Sequence, residues 1–223
     1  YQARDFINGK IEAVENNLSK RNEQLSNDAM LGQFLSSHDE EGFLKQFEND
    51  ENKLGKLMIA AALQITAKGQ PIIYYGEEIG FTGENNYPIH TNRNFFQWDA
   101  LENNDIHQHY KKLLQVRKEY SDVFSKGDRK QLIAKDSLGY SVFERSYNGE
   151  TLIVGLNTNE TEERVHLTVP FEAGSTLIDM YSQTTVIVKD DHTVESILPA
   201  MSDGGTFILA KLNDEEDGAV EGP

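Results

Sequence analysis

Two short stretches decide the fold: FLSSHDEEGF, residues 34–43, and GQPIIYYGEEIG, residues 69–80. Each is an apolar run of strand length that ends on carboxylates. The first run, 30–35, is too brief for a globular helix and is closed by Ser36 and Ser37, which suits a strand buried on both faces. His38 and Asp39 follow at its C-terminal edge. The second run, 71–75, passes into Gly76 and then Glu77 and Glu78.

Helical patterns flank both runs. Ile7, Ile11, Val14 and Leu18 recur at intervals of four, three and four, which predicts one helix over 5–25 with a single buried stripe. Leu54, Leu57, Met58, Ala61, Ala62 and Ile65 predict a second, stopped at Lys68-Gly69. A third is expected over 105–120, after a long polar loop. Strands alternating with helices, each strand short and apolar throughout, indicate a parallel α/β arrangement. From about residue 131 the pattern changes to runs such as YSVFERSY, TLIVGLN and TFILAKL, broken by Asn148-Gly149 and Asp203-Gly204-Gly205, the signature of an antiparallel β-sandwich. The expected division is 1–124, 125–213 and an acidic tail or linker at 214–223. The sandwich is expected to bury its own inner faces and fold alone.

Composition limits the chemistry. A formal charge of −16 disfavours nucleic acid and anionic membrane as partners. A 38% hydrophobic content supplies real cores, and no apolar segment approaches the ~18 residues of a membrane span. No export signal opens the chain, and its first residue, Tyr1, reads as a processing point or an artificial boundary. With no cysteine, disulfides and thiolate sites are excluded while the compartment stays open.

The C-terminal ends of parallel barrel strands line an active-site mouth, so His38, Asp39, Glu77 and Glu78 stand where chemistry is built. The combination of FLSSHDE with GQPIIYYGEEIG resembles glycoside hydrolase family 13, the α-amylase family. The matching residues are Phe34, Leu35, Ser37, His38 and Asp39, then Gly69, Pro71, Tyr74, Gly76 and Glu78; Ser37 departs from the asparagine common there. The resemblance implies the C-terminal part of a (β/α)8 barrel, about its last two strands and three helices, followed by an antiparallel sandwich. It implies that Asp39 stabilises the transition state and that His38 binds the same sugar ring, with Glu78 and Tyr74 as structural residues near the site.

In TNRNFFQWD, Arg93 and Trp98 are substrate-binding candidates, because aromatic faces stack on sugar rings. This segment is similar to amylopullulanase-like and neopullulanase-like members. Neither Glu77 nor Glu78 is expected to be catalytic. The glycines 76, 80 and 83 are not followed by Gly-Lys-Ser/Thr and do not make a phosphate loop. His107 and His109, two apart on a helix, do not form a metal pair.

No cofactor is expected in this chain, and calcium is left open for the parent. The family's nucleophilic Asp and acid/base Glu sit on the fourth and fifth barrel strands, which are not here. The chain is therefore expected to be a fragment of a retaining α-glucan hydrolase, inactive alone, whose partners are an α-glucan or maltooligosaccharide and the missing N-terminal part. For that parent an extracellular or cell-surface location is favoured over the cytoplasm. The competing reading is a noncatalytic carbohydrate-binding or structural module.

Overall fold

The computed structural model of the chain describes residues 2–27, 29 and 31–212. The acidic segment expected at 214–223 lies outside them, as does Met30 at the start of the first expected strand.

The single helix expected over 5–25 is instead two, α1 (Gln2–Ile7) and α2 (Ile11–Gln24). Gly9 causes the break. It adopts a left-handed φ of 85°, so the amides of Gly9 and Lys10 fold back onto the carbonyls of Phe6 and Asp5, both at 3.0 Å. These two bonds make a glycine-terminated helix end of the Schellman type. Beyond it, α2 buries Ile11, Val14 and Leu18.

The two apolar runs lie side by side and parallel, but the regular pairing covers only β1 (Gly32–Gln33) and β2 (Gln70–Pro71). One further bond, from the Ile72 amide to the Gln33 carbonyl at 2.7 Å, extends the ladder past Pro71, which has no amide to give. Between the strands runs α3 (Lys53–Thr66), buried along nearly all its length. The polar loop that follows β2 holds a small hairpin, β3 (Asn85–Asn86) and β4 (Ile89–His90). Next, α4 (Asp105–Glu119) is capped by Asn104, whose side chain accepts the His107 amide at 3.0 Å. A further helix, α5 (Ser121–Lys126), buries Val123 and Phe124, so the boundary expected at 124/125 falls inside a helix.

The β region comprises β5 (Asp128–Lys135), β6 (Tyr140–Tyr147), β7 (Glu150–Asn157), β8 (Glu163–Thr168), β9 (Thr176–Asp179), β10 (Thr185–Ile187), β11 (Thr193–Leu198) and β12 (Thr206–Lys211). Six strands form one antiparallel sheet in the order β10-β9-β12-β7-β6-β5, while β8 and β11 pair separately. Side chains alternate across the large sheet as the strand period requires. Val142, Ile153, Phe207 and Leu209 share a core with Val165, Leu167 and Val194 of the β8–β11 pair. Phe143, Leu152, Val154, Leu156 and Ile208 point the other way, into a core built with the helices. The sandwich buries its inner face with its own strands, as expected, while residues on the other face of its main sheet pack against the helices.

Cations seal that junction. Arg145 of β6, fully buried, donates to the carbonyls of Thr66 at 2.6 Å, Val123 and Phe124 at 3.0 Å and Gly127 at 2.8 Å, at the ends of α3 and α5. Arg117 does the same for the carbonyls of Ile65, Ala67 and Gly69, and Lys68 for those of Asn22 and Leu25 at the end of α2. Helix C-termini carry partial negative charge and unpaired carbonyls, which is what a buried guanidinium lacking a carboxylate needs. Burial, then neighbouring Arg129 and Arg117, bring Arg145 down to about 9.

Candidate functional site

The chain leaving β1 turns through 37–40, and the loop leaving β2 comes back to hold it. Asn92, on the 3₁₀ turn Thr91–Arg93, is 1% exposed. Its side-chain amide faces the carbonyls of Glu40 at 2.7 Å, His38 at 3.1 Å and Ser37 at 3.4 Å. Arg93 donates through Nε to the His38 carbonyl at 3.0 Å, and Asn85 donates to the Asp39 carbonyl. Three side chains from one loop thus fix the backbone of the other.

The functional groups of that backbone are left facing outward. His38 Nε2 lies 3.2 Å from Asp39 Oδ2, with the two side chains 65% and 73% exposed. An Nη of Arg93 is 3.6 Å from Asp39 Oδ1. The result is an imidazole, a carboxylate and a guanidinium gathered at one strand end, offering donors and acceptors to a polyhydroxyl ligand.

The tyrosines after β2 support the clamp from behind. Tyr74 donates to the Asn92 carbonyl at 3.0 Å and Tyr75 to that of Asn94 at 2.7 Å, with their rings 4.8 Å apart. Burial, reinforced by Tyr75, pushes the Tyr74 hydroxyl up, which keeps it a donor at neutral pH. Gly83 is required by close approach: a Cβ there would lie 2.5 Å from the Asn92 amide nitrogen and the Thr91 carbonyl oxygen. The Gly83 carbonyl accepts the Gly42 amide at 2.9 Å, a second tie between the loops.

The adjacent glutamates differ. Glu77 is 3% exposed and accepts the Tyr110 hydroxyl of α4 through Oε1 at 2.8 Å, while its Oε2 and the Oε2 of Glu78, the residue expected to tie the strand to its loop, are both buried without a partner among the described residues. Burial pushes Glu77 up to about 7, opposed by the Ser36 and Tyr110 hydroxyls.

Trp98 packs against Phe96 with centroids 4.6 Å apart and the rings tilted by 57°, and is 72% exposed. Among the described residues no hydrogen bond or ring contact joins it to His38, Asp39 or Arg93. His109 is buried against the Tyr181 hydroxyl at 2.6 Å and the Met58 carbonyl at 2.8 Å, facing away from the site. Among the described residues no three His, Cys, Asp or Glu side chains are grouped to hold a metal ion.

Residues 2–103 match the family model "Alpha amylase, catalytic domain". The chain is 31% identical over 167 residues to a cyclomaltodextrinase of Geobacillus thermopakistaniensis (strain MAS1), covering 74% of this chain and 27% of that protein. Its fold superposes on an Anoxybacillus α-amylase with a TM-score of 0.78 at 26% identity, covering 95% of this chain and 45% of the other. The chain belongs to the α-amylase family. It is also 29% identical over 170 residues to neopullulanase 2 of Thermoactinomyces vulgaris, covering 76% of this chain and 28% of that one. It spans about a quarter of the length of the curated relatives it matches. In α-amylase family terms, β1, β2 and the helices around them are the C-terminal part of the barrel, and the β5–β12 region is the sandwich that follows.

Sequence reasoning gave no role to Asn92 or Asn85. Asn92 stands in a polar run, TNRN, that looks like any loop; its importance comes from carbonyls more than fifty residues away.

Proposed function

We propose that this chain is the part of a retaining α-glucan hydrolase that holds the sugar ring at the cleavage point, in a longer protein that supplies the nucleophile and the proton donor. The observation that supports it best is the outward-facing His38–Asp39 pair, held at the backbone by Asn92, Arg93 and Asn85. Asp39 would accept hydrogen bonds from ring hydroxyls and His38 would donate to the same ring. Such bonds strengthen as the ring flattens toward an oxocarbenium ion and lower the barrier by several kcal/mol. Arg93, 3.6 Å from the carboxylate, helps to orient Asp39. Trp98 is a stacking surface for a more distant glucose unit.

The substrate class is α-1,4-linked glucan, with α-1,6 linkages included. The cyclomaltodextrinase and neopullulanase similarities support that breadth. Steady-state kinetics of the longer enzyme on a maltooligosaccharide test the reading. Asp39→Asn is expected to lower kcat about a hundredfold or more with little change in KM, because the lost bond is made mainly in the transition state. A kcat within about threefold of the unmodified enzyme would overturn the role and favour a noncatalytic module.

A further inference from the structure

In the hairpin that follows β2, Asn86 pairs with Ile89 and Asn85 with His90 across the ladder. Residues directly opposite in an antiparallel pair carry their side chains on the same face, so Asn85 and His90 meet. Asn85 Oδ1 lies 2.7 Å from His90 Nδ1, and Asn85 Nδ2 donates to the Asp39 carbonyl at 2.5 Å. The ring of Tyr87, at the hairpin turn, meets the imidazole edge-on, with centroids 6.3 Å apart and planes at 67°. His90 is half-buried while Tyr87 is exposed. Imidazole, amide and Asp39 backbone are thus joined in series by two hydrogen bonds.

The chemistry of each group fixes its neighbour. A carbonyl only accepts, so the Asn85 atom that faces Asp39 is the amide nitrogen. That turns Oδ1 toward His90, and because an amide oxygen also only accepts, Nδ1 of His90 carries a hydrogen. We propose that His90 is a positioning residue for Asp39: its Nδ1–H holds the Asn85 amide in the one orientation that can donate to the Asp39 carbonyl. The consequence for a sugar ring rests on the function proposed above, while the series of bonds is measurable without any sugar. Rotated by half a turn, the amide would set oxygen against oxygen at Asp39 and hydrogen against hydrogen at His90, so the imidazole opposes that rotation from the far end. Among the described residues Asn85 is the donor found at the Asp39 carbonyl, whereas Asn92 and Arg93 serve those of Ser37, His38 and Glu40. Losing the Asn85 bond therefore frees the one peptide that no other side chain holds.

Nitrogen NMR of the histidine side chains of this chain, in mildly alkaline solution where imidazoles are neutral, tests the first bond. His90, assigned from its backbone connectivity, is expected in the Nδ1–H form, whereas a solvated imidazole favours Nε2–H. An Nε2–H ring at His90 would overturn the proposal, and this reading needs no variant. In Asn85→Ala the ring should revert to Nε2–H; retention of Nδ1–H there would show that another acceptor sets the tautomer and would also overturn it. The second bond is read at the Asp39 carbonyl carbon, whose resonance should move in the same direction in His90→Phe as in Asn85→Ala. His90→Phe keeps a ring against Tyr87 and removes only the donor, so an unmoved Asp39 carbonyl in that variant would sink the positioning role. In the longer enzyme, His90→Phe should lower kcat about tenfold with little change in KM, the scale of one hydrogen bond lost behind a positioned group. A raised KM with unchanged kcat would make His90 a binding residue instead. If kinetics removed the role assigned to Asp39, the tautomer and carbonyl results would stand, so the two ideas fail separately.

Discussion

The carboxylate of Glu15, on α2, receives both Nε and an Nη of Arg129, on β5, at 2.7 Å, with neither side chain open to solvent. The guanidinium also lies 3.3 Å above the Phe143 ring centroid. Beside it, Asn22 accepts the Arg129 amide at 3.1 Å and donates to the Gly127 carbonyl at 3.0 Å. Removing one partner of a buried ion pair leaves the other charge without compensation. Glu15→Ala is therefore expected to destabilise the chain by about 3–5 kcal/mol, and the double replacement Glu15→Leu with Arg129→Met by much less. Urea denaturation followed by circular dichroism measures both.

The same junction governs how the β region behaves by itself. Cut free, residues 128–212 would expose Phe143, Leu152, Val154, Leu156 and Ile208 and strip Arg129 and Arg145 of their helix partners. Such a piece is expected to bind a hydrophobic dye and self-associate. Sedimentation velocity checks it: a compact monomer with a cooperative melt would show that the helix-covered face is dispensable.

Stability should depend on pH through two buried groups acting in opposite directions. Burial raises Glu77 from 4.5 to about 7 in the folded state, so the folded chain holds its proton more tightly than the unfolded chain. Its contribution is present below pH 4.5 and is lost as pH rises through 7. His109 is brought down from 6.5 to about 4, chiefly by burial, so its contribution is present above 6.5 and is lost as pH falls through 4. Glu77→Gln should therefore gain about 3 kcal/mol relative to the unmodified chain between pH 4.5 and 8, at roughly 1.4 kcal/mol per pKa step. Chemical denaturation at pH 4.5 and pH 8 measures that difference, and a flat difference would place the titration elsewhere.

Asn92 supplies a sharper test of the loop clamp. Replacing it with alanine removes the donor shared among three carbonyls and should cost about 1–3 kcal/mol. Asn92→Asp is nearly isosteric, yet it sets a carboxylate against those carbonyls and should cost more. Thermal melts of the two variants decide the order. Equal losses would mean that packing at Asn92, and not its donor hydrogens, holds the loop.

What the sequence displayed followed from what a local pattern can encode. α3 and α4 were legible because their apolar spacing repeats over three to four turns. The break at Gly9 was not, since a lone glycine is tolerated within a helical pattern and the apolar spacing continues across it. The strands β1 and β2 are too short to read by alternation, and the brief apolar runs at 30–35 and 71–75 located them only to within a few residues. The unbroken run Leu152-Ile153-Val154 carries the mark of a sheet covered on both faces, which is why the helices are needed there. Choosing between Glu77 and Glu78 required the 3₁₀ turn that rotates one inward, and the partners of Asn92 and Asn85 required the tertiary contact itself.

The chain by itself is expected to release no reducing sugar from soluble starch. Glycosidic cleavage with retention needs two carboxyl groups about 5 Å apart, one attacking the ring and one protonating the leaving oxygen. In the function proposed above, Asp39 takes the place of a third group, one that binds the ring being cleaved. Its carboxylate is 73% exposed and lies 3.6 Å from Arg93, and among the described residues no second carboxylate is paired with it. Glu77 has a raised pKa suited to an acid, but it is sealed under the loop against Tyr110 and has no path to a bound glucan. The assay uses purified chain freed of host amylase. Turnover above background that vanishes in Asp39→Asn would show that the chain contains a complete catalytic pair, and that Asp39 is one member of it.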